Sequence, residues 1–99
     1  MTRFFAVVLL AITGTPLHAD AEYSLTCNMK DDVAEVYVCN TGSSAEGNNH
    51  YIVVEACRAR DCDDDYDLMY IYASPGSCEM VGSIEFSESK DFCVARYRD

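Results

Sequence analysis

The middle of the chain reads His50-Tyr-Ile-Val-Val-Glu-Ala-Cys57-Arg-Ala-Arg-Asp-Cys62-Asp-Asp-Asp-Tyr-Asp67-Leu-Met-Tyr-Ile-Tyr-Ala73-Ser-Pro-Gly-Ser-Cys78. Residues 51–57 and 68–73 are rich in Val, Ile, Tyr and Met, which are residue types that favour β-strands. The segment between them carries too many charges to be buried, so the pattern predicts a β-hairpin with an acidic tip. Because this hairpin also holds three of the six cysteines, we expect it to form the centre of the fold.

Four further runs have the composition of strands, either through alternation of apolar and polar residues or through β-branched and aromatic content. A short helix over residues 31–39, capped by Asp31 or Asp32, is the alternative for the second run. Six short strands separated by turns predict an all-β fold, a small disulfide-stapled antiparallel β-sandwich or barrel. The four runs lie at residues 22–29, 33–39, 78–86 and 92–97.

The amino terminus has the pattern of a secretory signal peptide. Arg3 is followed by an apolar run from Phe4 to Ile12 and by small residues spaced for signal peptidase, Ala19-x-Ala21. The apolar run is much shorter than the ~20 residues that cross a bilayer, and no other run is long enough to span one. We therefore expect a signal peptide over residues 1–21, with cleavage after Ala19 as the alternative, and a secreted, extracellular protein with a single domain over residues 22–99.

The chain is strongly acidic, with 17 Asp and Glu against seven Lys and Arg and a formal net charge of −10. Loss of residues 1–21 removes one residue of each sign, so the net charge does not change. Such a surface repels phosphate backbones and anionic lipid head groups, which excludes nucleic acids and membranes as partners. The expected partner is another protein, and the chain itself is expected to be a monomer.

All six cysteines lie after the predicted signal peptide. An even number of cysteines in a short secreted chain predicts three disulfides, because so small a core leaves little net stability. The chain has no Cys-x-x-Cys pair and only one histidine after cleavage, so we expect neither a metal site nor another cofactor. The cysteines are Cys27, Cys39, Cys57, Cys62, Cys78 and Cys93.

Strand length limits how these cysteines pair. The strand from Tyr66 to Ala73 is roughly 25 Å long, whereas bonded cysteines have Cα atoms ~5.5 Å apart. Cys62 and Cys78 lie beyond opposite ends of this strand, so they are not expected to pair. If successive strands run up and down, Cys39 meets Cys78, and the other four cysteines gather at the opposite end with three possible pairings.

The sequence carries little sign of catalysis. His50 stands alone, every cysteine is expected to be bonded, and no Gly-x-Ser-x-Gly elbow presents a serine, so we expect no enzymatic activity. The acidic run over residues 61–67 offers oxygen ligands to Ca²⁺, but it lacks the glycine and the bidentate glutamate that an EF-hand loop needs. A solvated acidic segment is the expectation, with calcium binding left open.

Two features of the hairpin are candidates for contact with a partner. Leu68, Tyr70 and Tyr72 alternate with Met69 and Ile71, so one side of this strand faces the core and the other is either covered or left as an aromatic surface. The acidic run would attract a partner with a basic surface. The candidate partner-binding residues are Asp61, Asp63, Asp64, Asp65, Asp67, Tyr70 and Tyr72.

With its signal peptide, six cysteines from Cys27 to Cys93 and short β-rich domain, the chain resembles small cysteine-rich secreted proteins of fungi, many of which act as effectors on a host. Some of these proteins are β-sandwiches, and others have the βαββαβ fold of killer toxins, which is the α+β alternative for this chain. The resemblance implies a host-directed effector that acts by protein–protein contact. The alternative is a secreted inhibitor or toxin acting on an extracellular enzyme or cell surface, with Arg58-Ala59-Arg60 as the candidate inhibitory segment.

Overall fold

The computed structural model describes residues 21–98, so the predicted signal peptide lies, apart from Ala21, outside the described residues. Every regular element within 21–98 is a β-strand. This part of the chain therefore contains no helix that is long and apolar enough to cross a membrane.

Six antiparallel strands account for the fold, and the prediction of an all-β protein is confirmed. The helix over residues 31–39 and the killer-toxin-like alternative are wrong, because residues 33–40 form a strand that pairs with a neighbour on each side. The strands are β1 (Tyr23–Lys30), β2 (Val33–Asn40), β3 (Asn48–Arg58), β4 (Asp61–Ile71), β5 (Cys78–Glu85) and β6 (Phe92–Tyr97).

The strands form two three-stranded sheets that pack face to face. One has the order β1-β2-β5 and is called the β2 sheet; the other has the order β4-β3-β6 and is called the β3 sheet. Alternate residues of each strand point into the space between the sheets, where the apolar side chains of the alternating pattern are buried. The buried core consists of Ala34, Val36, Val38, Ile52, Val54, Ala56, Met69, Ile71, Ala73, Ile84 and Phe86.

Gly82 of β5 allows the buried end of β4 to approach the opposite sheet. A Cβ atom on Gly82 would lie 2.8 Å from the sulfur of Met69 and 3.0 Å from its Cγ and Cε atoms, so Met69 fills the space that a larger residue would need. The ladder between β2 and β5 shifts its register close to this point, between Val36 and Tyr37. The contact closes the sandwich over the second half of β4 only.

Three disulfides join the strands, and all six cysteines are bonded. The predicted bond between Cys39 and Cys78 is confirmed, and it links β2 to β5 within one sheet. Of the remaining bonds, one closes the hairpin of β3 and β4, and the other links β1 to β6 and thereby the two sheets. These bonds are Cys57–Cys62 and Cys27–Cys93.

The acidic run is part of a strand and not a loop at the tip of the hairpin. β4 begins at Asp61, which lies opposite Arg58 of β3, and the turn consists only of Ala59 and Arg60. The expected acidic tip is therefore wrong. Aspartate is rare in strands, but an edge strand leaves these carboxylates in water, so the extended backbone buries no unpaired charge here.

The turn that precedes β4 contains a strained residue. Ala59 has a φ of 56°, a conformation in which the Cβ atom crowds the backbone. We expect Ala59→Gly to raise the free energy of unfolding by up to about 1 kcal/mol, because relief of this strain exceeds the entropy that glycine adds to the unfolded chain. Thermal unfolding followed by circular dichroism measures the effect. Ala45→Gly is the control: Ala45 has no positive φ, so it should lose stability, and an equal response of both sites would contradict the prediction.

Candidate binding surface

The two sheets have outer faces of opposite character. On the β2 sheet, the outward residues of β1 are all polar, and among the described residues of this face only Met80 is a large apolar side chain that is more than half exposed. On the β3 sheet, a group of large apolar side chains is 42–56% exposed. We call this group the aromatic face; it consists of Tyr51, Tyr66, Leu68, Tyr70, Tyr72, Phe92 and Val94.

Strand register brings the aromatic face together from distant parts of the chain. Residues directly opposite each other in an antiparallel ladder point to the same side of the sheet. Tyr51 of β3 lies opposite Leu68 of β4, and Val53 lies between Tyr66 of β4 and Arg96 of β6. Phe92 and Val94 of β6 point to this side as well, so all three strands contribute exposed apolar side chains to it. Large exposed apolar patches mark interaction sites in soluble proteins.

A tyrosine pair and an arginine occupy the middle of the aromatic face. The rings of Tyr51 and Tyr66 meet edge to face, with centroids 5.9 Å apart. The guanidinium carbon of Arg98 lies 4.5 Å from the centre of the Tyr66 ring and 5.6 Å from that of Tyr51, which is within the range of a cation–π interaction. The backbone N–H of Arg98 also donates to the carbonyl oxygen of Tyr51 at 3.0 Å. These contacts hold the three side chains in place before any partner binds.

The predicted candidates Tyr70 and Tyr72 belong to the aromatic face. Their ring centroids are 6.4 Å apart and their planes lie within 17° of each other. The hydroxyl of Tyr70 lies over Gly47, where a Cβ atom would overlap it. Met69 and Ile71 are buried on the opposite side of the strand. Of the two alternatives that the alternation left open, the structure shows the one in which the aromatic side is exposed and not covered.

The predicted acidic candidates divide between the two sides of β4. Asp64 lies on the aromatic face opposite Glu55. The other four alternate along the opposite side, which is the side that faces the core farther along the strand. Residues 61–68 are nevertheless all exposed. They are exposed because β5 reaches only the Met69 end of β4. We call these four residues the acidic row: Asp61, Asp63, Asp65 and Asp67.

One carboxylate of the acidic row is neutralised by a buried cation. Nζ of Lys90 lies 2.5 Å from Oδ2 of Asp63, and the Lys90 side chain is only 1% exposed. Within residues 21–98, the other three carboxylates of the row have no cation within 4.0 Å. Arg58 faces Asp61 in the ladder, yet its guanidinium pairs with Glu88 at 3.3 Å. The row therefore keeps most of its negative charge.

Two members of the acidic row also bind backbone amides of their own strand. Oδ1 of Asp65 accepts a hydrogen bond from the N–H of Tyr66, and Oδ1 of Asp67 accepts one from the N–H of Leu68, both at 2.8 Å. In an antiparallel ladder, alternate residues of an edge strand direct their N–H and C=O groups away from the sheet. The two aspartates thus cap amides that would otherwise be open to another chain.

The residues that the structure describes, 21–98, enclose no pocket. His50 is exposed, and its ring meets that of Tyr97 edge to face at 5.1 Å. Burial, and after it the nearby phenol of Tyr23, raises the pKa of Tyr97, so its hydroxyl stays neutral at physiological pH.

Within residues 21–98, the side chains of the acidic row do not bring three possible cation ligands together. Among residues 21–98, the one group of three possible ligands is Glu55, Cys57 and Cys62, and its two cysteines are bonded to each other, so they offer no thiolate. Aspartates on the same side of β4 are spaced by two residues, which is roughly 6.8 Å along a strand. At this spacing, no three carboxylates of the acidic row bring oxygen atoms within 4.8 Å of one another.

The candidate inhibitory segment is a tight turn. Ala59 and Arg60 form the turn itself, the Cys57–Cys62 bond closes it, and Arg58 is engaged with Glu88. A protease cleft accepts an extended segment, and this turn does not present one. The structure therefore adds no observation in favour of an inhibitor.

Several residues of this surface were not singled out by the sequence patterns. Phe92 and Val94 alternate with half-buried residues along β6, so their period of two was a usable signal. Arg98 and Lys90 gave no such signal, because their contacts with Tyr66 and Asp63 join distant parts of the chain.

The aromatic face and the acidic row consist of residues of this chain alone. The exposure, charge and strand positions of these residues determine what the two surfaces can bind. The chain matches no protein-family model, no curated protein and no solved structure.

Proposed function

We propose that the protein is a secreted, cysteine-rich binding protein that acts on a host as an effector, by protein–protein contact through the aromatic face. The observation that carries the proposal is the exposure of seven large apolar side chains on the outer side of the β3 sheet, while the core takes up side chains of its inner side from Ile52, Val54, Met69 and Ile71. Folding alone gives these side chains no partner. Three disulfides are consistent with an extracellular protein. Two of them, Cys57–Cys62 and Cys27–Cys93, hold strands that carry the face.

The composition of the aromatic face is that of an interface centre. Tyrosine and arginine are enriched among residues whose truncation costs most binding energy, and Tyr51, Tyr66 and Arg98 form such a cluster. A complex that covers half-exposed side chains gains about 1 kcal/mol from each, roughly half of the value for full burial. Association costs on the order of 4–15 kcal/mol, so the apolar contacts alone support only a weak complex. Polar and charged contacts must supply the rest.

Removal of two side chains from the middle of the face tests the proposal. The double substitution Tyr66→Ser and Leu68→Ser should weaken partner binding by at least about tenfold, because each truncation at an interface centre costs on the order of 1 kcal/mol or more. The mature protein, immobilised on a solid support, captures the partner from an extract of host tissue. Surface plasmon resonance with the purified partner then gives the affinity of each variant.

Met80→Ser is the matched control, because it removes an equally exposed apolar side chain from the outer face of the β2 sheet. Its affinity should equal that of the native protein. If the Tyr66→Ser and Leu68→Ser variant binds the same partner as tightly as the native protein does, the aromatic face is not the contact surface.

A further inference from the structure

We propose that the free edge of β4 receives an extended basic segment of the partner as an added strand. In this segment, Lys or Arg at alternate positions lies along the acidic row, and apolar residues between them lie along the aromatic face. The inference rests on the proposed function and names the kind of partner. β4 has 11 residues and pairs only with β3 in the described part of the chain. Native proteins usually keep such edges short or covered.

The positions of the acidic and aromatic rows single out a strand as the occupant. The acidic row lies on one side of β4, while Tyr66, Leu68 and Tyr70 lie on the other. A flat surface placed on the aromatic face reaches Asp64 but not the acidic row behind it. The side chains of an added strand alternate to the same two sides as those of β4, so one extended segment contacts both rows at once.

Charge decides the composition of that segment. Asp61, Asp65 and Asp67 lack a cation within 4.0 Å in residues 21–98. Opposite charges on directly facing residues of neighbouring strands stabilise the pair, and like charges destabilise it. A second copy of this chain is therefore a poor occupant, because its own β4 would bring an identical row of aspartates.

The capped amides make the edge selective. The backbone N–H groups of Tyr66 and Leu68 already donate to the carboxylates of the preceding aspartates. An added strand can accept these hydrogen bonds only after the carboxylates have released the N–H groups. A lysine or arginine facing each aspartate draws the carboxylate into an ion pair and frees the amide for the incoming backbone. A neutral or acidic strand offers no such exchange, so the edge stays closed to it.

Synthetic peptides test this edge without knowledge of the natural partner. The probe is Val-Lys-Val-Lys-Val-Lys-Val, with its ends blocked, and its control is Lys-Lys-Lys-Val-Val-Val-Val, which has the same composition and no alternation. Titration of the mature protein by fluorescence anisotropy at low salt should show at least about tenfold tighter binding of the alternating peptide. N-methylation of the amides that face β4 should abolish that binding, because it removes the ladder donors.

Asn substitutions separate the charge from the cap. The double substitution Asp65→Asn and Asp67→Asn removes both charges but keeps a side-chain oxygen at each site that can accept the amide hydrogen bond. It should lower the affinity for the alternating peptide on the order of tenfold. Glu79→Gln with Glu85→Gln removes two exposed charges from β5 and should leave the affinity unchanged. Melting curves verify that each variant is folded.

Equal affinities for the two peptides, or an affinity that N-methylation does not lower, would overturn the proposal of an added strand. The proposal would also be overturned if sedimentation showed that the native protein forms a dimer with β4 as the contact. If the peptide fails while Tyr66→Ser and Leu68→Ser still disrupt partner binding, the inference about the edge is wrong and the proposed function stands. If those aromatic variants leave partner binding intact, the proposed function itself fails.

Discussion

Replacing Cys27 and Cys93 by serine should lower the free energy of unfolding by about 4 kcal/mol. These cysteines are 66 residues apart in sequence, so their bond removes much of the freedom of the unfolded chain. The bond also joins β1 to β6, which belong to different sheets. Against a total stability of about 5–15 kcal/mol, the loss should reduce the melting temperature on the order of 15–30 °C.

The hairpin disulfide provides the control for this loss. Cys57 and Cys62 are only five residues apart and lie in strands that already pair with each other. Their replacement by serine should cost about 2 kcal/mol in the same chain-entropy estimate. Urea unfolding of both double variants gives the two free energies. Equal losses would show that loop length and the connection between the sheets do not govern the effect.

The ion pair of Lys90 and Asp63 should respond very differently to removal of each partner. Asp63→Ala leaves the buried ammonium of Lys90 without its counter-charge, and we expect a loss of about 3 kcal/mol, at the lower end for a broken buried pair because Asp63 itself is 59% exposed. Lys90→Met removes the charge and keeps the length of the side chain. The carboxylate that remains is solvated, so this change should cost less than about 1 kcal/mol.

A double-mutant cycle checks the asymmetry. In the Lys90→Met background, Asp63→Ala should hardly change the free energy of unfolding, because no buried charge remains that could lose its counter-charge. Urea unfolding of the two single variants and the double variant gives the coupling energy. If both single substitutions cost the same, the burial of Lys90 does not determine the energetics. Asp63 stays intact in the peptide experiment, because a loss of stability there would obscure a change in binding.

The sequence allowed the strands to be predicted where side chains alternate. Leu68, Tyr70 and Tyr72 against Met69 and Ile71 indicate both a strand and its two sides, because an extended backbone directs successive side chains to opposite faces. Chain reversal between strands also limited the disulfides enough to identify one of them. Four cysteines at the same end stayed unresolved, since their pairing depends on which strands lie opposite each other across the sandwich.

The acidic run and the extent of the aromatic face needed the structure. Asp61 and its neighbours have the composition of a turn, and only the edge position of β4 accounts for a strand there. Phe92 joins Tyr66 on one surface because β3 lies between β6 and β4, a sheet order that composition does not encode. The burial of Lys90 depends on its loop, whose backbone N–H bonds to the carbonyl oxygen of Asp31 in the turn between β1 and β2.

The alternation of β3 and β4 separates two tasks along the same strands. Ile52 and Val54 hold the sheets together, while Tyr51 and the other outward residues contribute little to that packing. Substitutions at the outward positions other than Cys57 and Cys62 can therefore change what the surface recognises at little cost in stability. Exposed sites away from special features usually shift stability by within about 0.5 kcal/mol. A lineage that inherits this sandwich can exchange one target for another while it keeps the same fold.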